Sequence, residues 1–229
     1  MDLLSHIALV FTGGLGNSSI RRLVDLYPDE DIFALPLSEL NTVFGTHRSI
    51  VENIRNKSGF ARAEEELRFC EKNRIRPLFF TDPDYPARLN RQETDDCPAL
   101  LYCLGSANLN PERSLAVVGT RRATAMGRDN TAMLVAGLKA YGPHIVSGLA
   151  YGIDTAAHTA ALDQGLPTVA VLGHGLDRIY PQANRQLAKR IIESGGALVT
   201  EYPSGTAIIW RYSAEYRAGT RAPQVSRRP

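Results

Sequence analysis

The sequence predicts an α/β protein, a Rossmann-like parallel sheet covered by helices and preceded by a small all-helical module, with the sheet incomplete at its C-terminal side. Three observations predict it. Residues 1–70 carry helix-forming composition with apolar residues at helical spacing. From Ile75 onward short β-rich runs alternate with helical stretches. Three successive strand ends then run into glycine loops that open helices.

In the amino-terminal module, SSIRRLVDLY places Ile20, Leu23, Val24 and Tyr27 three and four residues apart, and ARAEEELRFCEKN is rich in strong helix formers. Gly13, Gly14 and Gly16 follow an apolar run, as a dinucleotide loop would. The match is weak, because the third glycine of that pattern falls at Ser19 and LYPDEDIFALP is turn and helix start rather than a strand with an acidic end. A helix-hairpin-helix element, whose glycine turn exposes amides at a helix N-terminus toward a DNA phosphate, accounts better for these glycines. The same hairpin also serves simply to pack helices.

The β-rich runs are IRPLFF, ALLYCLG, LAVVG, HIVSG, TVAVLG and ALVTE. Helical stretches near 127–141, 153–164 and 182–194 separate the last four, which predicts parallel strands with right-handed crossovers. From Ala207 the rhythm is lost. AIIWRYSAEYRAGTRAPQVSRRP ends in arginine, proline and serine and reads as an irregular basic tail over 207–229.

Composition narrows the function classes. Of 229 residues, 44% are hydrophobic and 22% charged, with no apolar run long enough for a membrane span, so a soluble protein is expected. The amino terminus lacks a basic region and a cleavage pattern, which points to the cytoplasm. The net charge of +2 is misleading, because Arg211, Arg217, Arg221, Arg227 and Arg228 stand against Glu215 alone in the tail. The remaining body is slightly acidic, so any nucleic-acid site has to be local. Cys70, Cys97 and Cys103 show no C-x-x-C spacing and no histidine cluster, and read as buried or idle thiols.

The chemistry sits at the strand ends. In LAVVGTRRATAMG, a strand leads into Gly119, Thr120 and Arg121 before a helix near Met126. Glycine lets an anion approach the backbone, threonine offers a hydroxyl, and arginine adds a planar charged fork. An ordinary strand-to-helix turn with solvent-facing arginines explains this motif alone equally well. In HIVSGLAYGIDTAAHTAALDQG the strand ends at Ser147 and Gly148, and a glycine turn opens a helix near Ile153. Asp154 is expected as a structural cap, and His158 lies one turn later. Acid–base chemistry or metal binding by that pair is the lesser reading, since neither a third ligand nor a nucleophile lies nearby. In VAVLGHGLDRIYPQANRQLAKRI, His174 stands between Gly173 and Gly175. The three loops converge at one edge of a parallel sheet, with Arg121 and His174 as side-chain donors, in a cleft suited to a phosphate or nucleotide.

VVGTRRAT, SGLAYGIDTAAH, TVAVLGHGLDRIYP and TEYPSG, preceded by TDPDYPARL and CPALLYCLG, together resemble the DprA/Smf DNA-processing family over about residues 75–206. The amino-terminal module is similar, more loosely, to that family's helix-hairpin-helix or SAM-like module. The resemblance implies a non-enzymatic protein of natural transformation, a homodimer without a cofactor, that binds incoming single-stranded DNA, protects it and helps load RecA. It implies a DNA-phosphate site at Gly119, Thr120 and Arg121, matching a Gly-Ser-Arg loop with threonine for serine, with Ser147 and Gly148, and Gly173, His174 and Gly175, as its other loops.

The chain departs from the family after Glu201-Tyr202-Pro203-Ser204-Gly205. Members continue into a Phe-x-x-Arg-Asn-Arg motif and further elements, whereas this chain reads Trp210-Arg211-Tyr212-Ser213-Ala214-Glu215-Tyr216-Arg217. A frameshift is one explanation: codons permitted for Ser213 to Arg217, read one base later, encode Gln-Arg-Asn-Ile-Val. A sheet ending there is expected to leave an edge and an apolar face uncovered. The competing class is a nucleotide-processing enzyme of the phosphoribohydrolase group. Its Pro-Gly-Gly-x-Gly-Thr loop is missing from the sequence, and Glu201 precedes Tyr-Pro instead.

Overall fold

The computed structural model describes residues 1–90 and 97–206. The expected irregular tail 207–229, with its frameshift reading, lies outside the described residues. The chain forms two compact units that divide between Leu101 and Tyr102. The last helix of the expected module ends at Asn73 and the first strand starts at Arg76, within the first unit.

The first unit is built on five helices: α1 (Leu3–Phe11), α2 (Asn17–Leu26), α3 (Leu37–Phe44), α4 (Arg48–Arg55) and α5 (Phe60–Asn73). Asp2 caps α1 by accepting from the Ser5 amide at 2.8 Å. The helical spacing in α2 buries Ile20, Leu23 and Val24 as one stripe. α1 packs on the start of α5, where a Cβ on Gly59 would sit 2.1 Å from the Ala8 carbonyl oxygen. Along α5, Glu66 is 1% exposed and is held by Arg62 at 2.7 Å, one turn away. Strand β1 (Arg76–Phe79) and the short helix α6 (Ala87–Asn90) follow. Arg21 of α2 ties the segment before the next strand, donating to the carbonyls of Cys97 and Pro98 and to Asn90 Oδ1 at 2.6–3.1 Å. Cys70, Cys97 and Cys103 are all buried and none is joined in a disulfide, and burial pushes the Cys70 thiol up to about 12.

The remaining elements are β2 (Leu100–Gly105), β3 (Ser114–Ala116), α7 (Ala125–Gly137), β4 (His144–Ser147), α8 (Ile153–Asp163), β5 (Thr168–Val171), α9 (Arg185–Glu193) and β6 (Ala197–Thr200). The strand order is β1-β2-β6-β5-β4-β3. The pairs β3–β4, β4–β5 and β5–β6 are parallel, as the alternation predicts. β2 runs antiparallel to β6, pairing Tyr102 with Thr200 and Gly105 with Ala197, so the sheet is mixed. Two apolar clusters hold the helices in this unit. Leu172 and Leu198 pack with Leu187 and Ile191 of α9, and Ile145 packs with Val135 of α7 and Ala157 and Ala161 of α8. Among the described residues β3 ends the parallel side of the sheet, and its Leu115 is 37% exposed. On α7, Met126, Met133 and Leu134 are exposed as well.

Candidate nucleic-acid interface

Parallel β3, β4 and β5 carry their carboxyl ends to one side, so the loops that follow them, 117–124, 148–152 and 172–181, are neighbours. Close backbone approach joins the first two. The Ile153 amide donates to the Thr120 carbonyl at 3.3 Å, and a Cβ on Gly152 would lie 2.1 Å from that oxygen. Gly119 is equally committed, since a Cβ there would meet Ile153 at 2.7 Å. Glycine at both positions is therefore a packing requirement, beyond any need of a ligand.

Asp154 binds the loops together. It is buried near the start of α8, whose N-cap is Gly152, and it accepts from the Ala150 amide at 3.3 Å. Burial raises its carboxyl above the usual range, while the amides of Ala150, Gly148 and Gly119 pull it back. The expected cap of the helix start is not formed: α8 has no side-chain cap, because Asp154 turns back to the loop amides before it instead of the free amides of its own first turn. Ser147 is fully buried and its hydroxyl donates to the Val117 carbonyl at 2.6 Å. His158 is also fully buried, with Nδ1 2.7 Å from Thr168 Oγ1. Because the Thr168 hydroxyl donates to the Ile145 carbonyl, the imidazole supplies the proton between them. Burial pushes His158 down to about 4, so the ring is neutral. Asp154 and His158 have separate partners, and no acid–base pair is assembled.

The third loop turns inward. His174 is 3% exposed, its Nδ1 lies 2.9 Å from the Gly175 carbonyl oxygen, and its Nε2 is buried without a hydrogen-bond partner. Gly175 is buried against the turn after β6, where a Cβ would sit 2.4 Å from the Pro203 carbonyl oxygen. The Gly205 amide donates to Asp177 Oδ1 at 3.1 Å, joining the same two segments. Of the expected side-chain contacts, Thr120 and Arg121 stand on the exposed surface, while Ser147 and His174 do not reach it. Thr120 Oγ1 accepts from the Arg122 amide at 3.1 Å, which shapes the turn presenting two exposed guanidinium groups, Arg121 and Arg122.

Two positioning residues carry no mark in the sequence. Asn184, just before α9, donates from Nδ2 to the Leu149 carbonyl at 2.8 Å and to Thr155 Oγ1 at 2.9 Å. Leu149 is fully buried with φ 58°, a left-handed conformation uncommon outside glycine. The spacing of Asn184 after the Tyr180-Pro181 turn gives no signal for a partner 35 residues away. A shallow cavity of about 270 Å³, lined by Arg113, Tyr141 and His144 among others, lies at the opposite end of β4 from these loops.

The model of DNA recombination-mediator protein A matches residues 76–215, more than half of the chain and the whole loop system. The chain belongs to that family. It is 41% identical over 177 residues to Protein Smf of Synechocystis, a match covering 73% of this chain and 42% of that one. The DNA processing protein A structure from Streptococcus pneumoniae superposes with a TM-score of 0.69 at 29% identity, covering 92% of this chain and 71% of the other. DNA processing protein A from Helicobacter pylori, solved for its single-stranded DNA binding mode, gives a TM-score of 0.50 at 29% identity, covering 59% of each chain. The chain spans less than half the length of the curated family relatives it matches. Among the described residues no helix is long and apolar enough to cross a membrane.

Proposed function

We propose that this chain is a non-catalytic, cytoplasmic single-stranded DNA-binding protein whose contact surface is the Gly119-Thr120-Arg121 loop. The observation that carries this reading is the exposed Thr120-Arg121-Arg122 turn, fixed on a rigid junction of strand-end loops in a protein of the DNA recombination-mediator family. The single-stranded DNA binding described for the Helicobacter pylori relative supports it. In this reading the guanidinium groups take the phosphates. Gly148, Gly173 and Gly175, with buried Ser147 and His174, shape the platform beneath them. Binding is then sequence-tolerant and salt-dependent. Assembly as a homodimer, protection of incoming DNA and handover to RecA during natural transformation belong to the same proposal.

A mobility shift with labelled oligo-dT across a salt series tests it. Wild type is expected to bind, with affinity falling as salt rises. Arg121→Ala is expected to bind more weakly, with a log–log salt slope shallower by about 0.7 for each phosphate that the variant leaves unneutralised. Absence of binding at low salt, or a slope unchanged in Arg121→Ala, overturns the assignment. Hydrolysis of a nucleotide by the purified chain would favour the enzyme class instead.

A further inference from the structure

The loop between β4 and α8 presents an aromatic ring to solvent at a strained and heavily braced position. Tyr151 is 47% exposed, although Leu149 two residues before it is fully buried. Left-handed backbone brackets it, with φ 58° at Leu149 and 80° at Gly152. Such conformations persist where the surroundings over-determine them. Here Asn184 holds the carbonyls of Leu149 and Ala150, at 2.8 and 3.4 Å, and Asp154 holds the Ala150 amide. The next residue, Gly152, is pressed against the first loop, where an added Cβ would lie 2.9 Å from the Arg121 carbonyl oxygen. The backbones at Tyr151 and Arg121 are therefore fixed side by side, each residue exposed.

We infer that Tyr151 is a stacking platform for an unpaired base of the nucleic-acid strand whose phosphates engage Arg121 and Arg122. This rests on the reading given under Proposed function and adds to it a contact made by the base. Proteins that hold single strands pair a cationic track with aromatic faces, because every base has a π-face whatever its sequence. A duplex keeps those faces inside its own stack, so the platform favours unpaired strands. Tyrosine on a braced loop loses little freedom on binding, since only two side-chain torsions remain to be fixed.

Fluorescence anisotropy with two labelled ligands of equal length, oligo-dT and an abasic deoxyribose-phosphate strand, separates base contacts from phosphate contacts. Wild type is expected to prefer oligo-dT, and Tyr151→Ala to lose roughly 5- to 100-fold on oligo-dT with little change on the abasic strand. Tyr151→Phe is expected to retain wild-type binding, and unchanged urea midpoints establish that both variants are folded. Tyr151→Ala binding oligo-dT like wild type, or losing equally on both ligands, overturns the inference. If Arg121→Ala weakens both ligands while Tyr151→Ala changes neither, the phosphate reading stands and the stacking role falls. If wild type binds neither ligand, both readings fall.

Discussion

Two buried titratable residues under the strand-end loops respond to acid in opposite directions. His158 is held neutral by burial, its pKa lowered from 6.5 to about 4. The unfolded chain therefore takes up a proton first. Its contribution to stability is complete above pH 6.5 and is lost as pH falls from 6.5 through 4, at most about 3 kcal/mol. Asp154 is raised by burial, so its contribution is present below its ordinary value of 3.8 and is lost as pH rises through the raised one. The two partly cancel in mild acid, and only a variant separates them. Urea unfolding of wild type and His158→Gln between pH 7 and pH 4 is expected to show a smaller loss of stability in the variant. Equal losses would mean that His158 is not buried in its neutral form.

At the scale of elements, the junction of the β3 and β4 loops depends on a few atoms. Asn184→Ala removes the donor to Leu149, Ala150 and Thr155 and is expected to cost about 1–3 kcal/mol in urea denaturation. Gly152→Ala is expected to cost at least about 2 kcal/mol, because it meets both a positive φ and the Thr120 carbonyl. A smaller effect of Gly152→Ala than of Asn184→Ala would show that the loop yields easily. These two residues also mark where the sequence stopped being legible. The strands β3 to β6 and their glycine loops are written locally, as apolar runs followed by glycine and a helix start, and fold as expected. The antiparallel setting of β2 is not, since an apolar run has no direction in its pattern. Nor does a motif show which glycines serve a ligand and which serve a neighbouring loop. Gly119 and Gly152 are read as phosphate loop and turn, yet each is required by contact with the other segment. Ser147 likewise looks like an available hydroxyl until the strand that buries it is in place.

For the whole molecule, the open side of the sheet decides behaviour in concentrated solution. Among the described residues β3 has a neighbour on one side alone, and Leu115, Met126, Met133 and Leu134 expose apolar surface on β3 and α7. An unpaired edge beside such a surface invites association with another copy. Light scattering against concentration is expected to show growth of oligomers, and Leu115→Lys to suppress it. Monodisperse wild type at high concentration would show the edge to be covered. The setting of β2 has a different consequence, one of timing. β4, β5 and β6 each pair with the strand before them in the chain, so the parallel part grows by successive local additions. β2 precedes this series in the chain yet pairs through Tyr102 and Thr200 with its last strand. The antiparallel seam joins residues 98 positions apart, against 23–30 for the parallel pairs, so it carries the largest loop-closure cost of these pairings and is expected to close late.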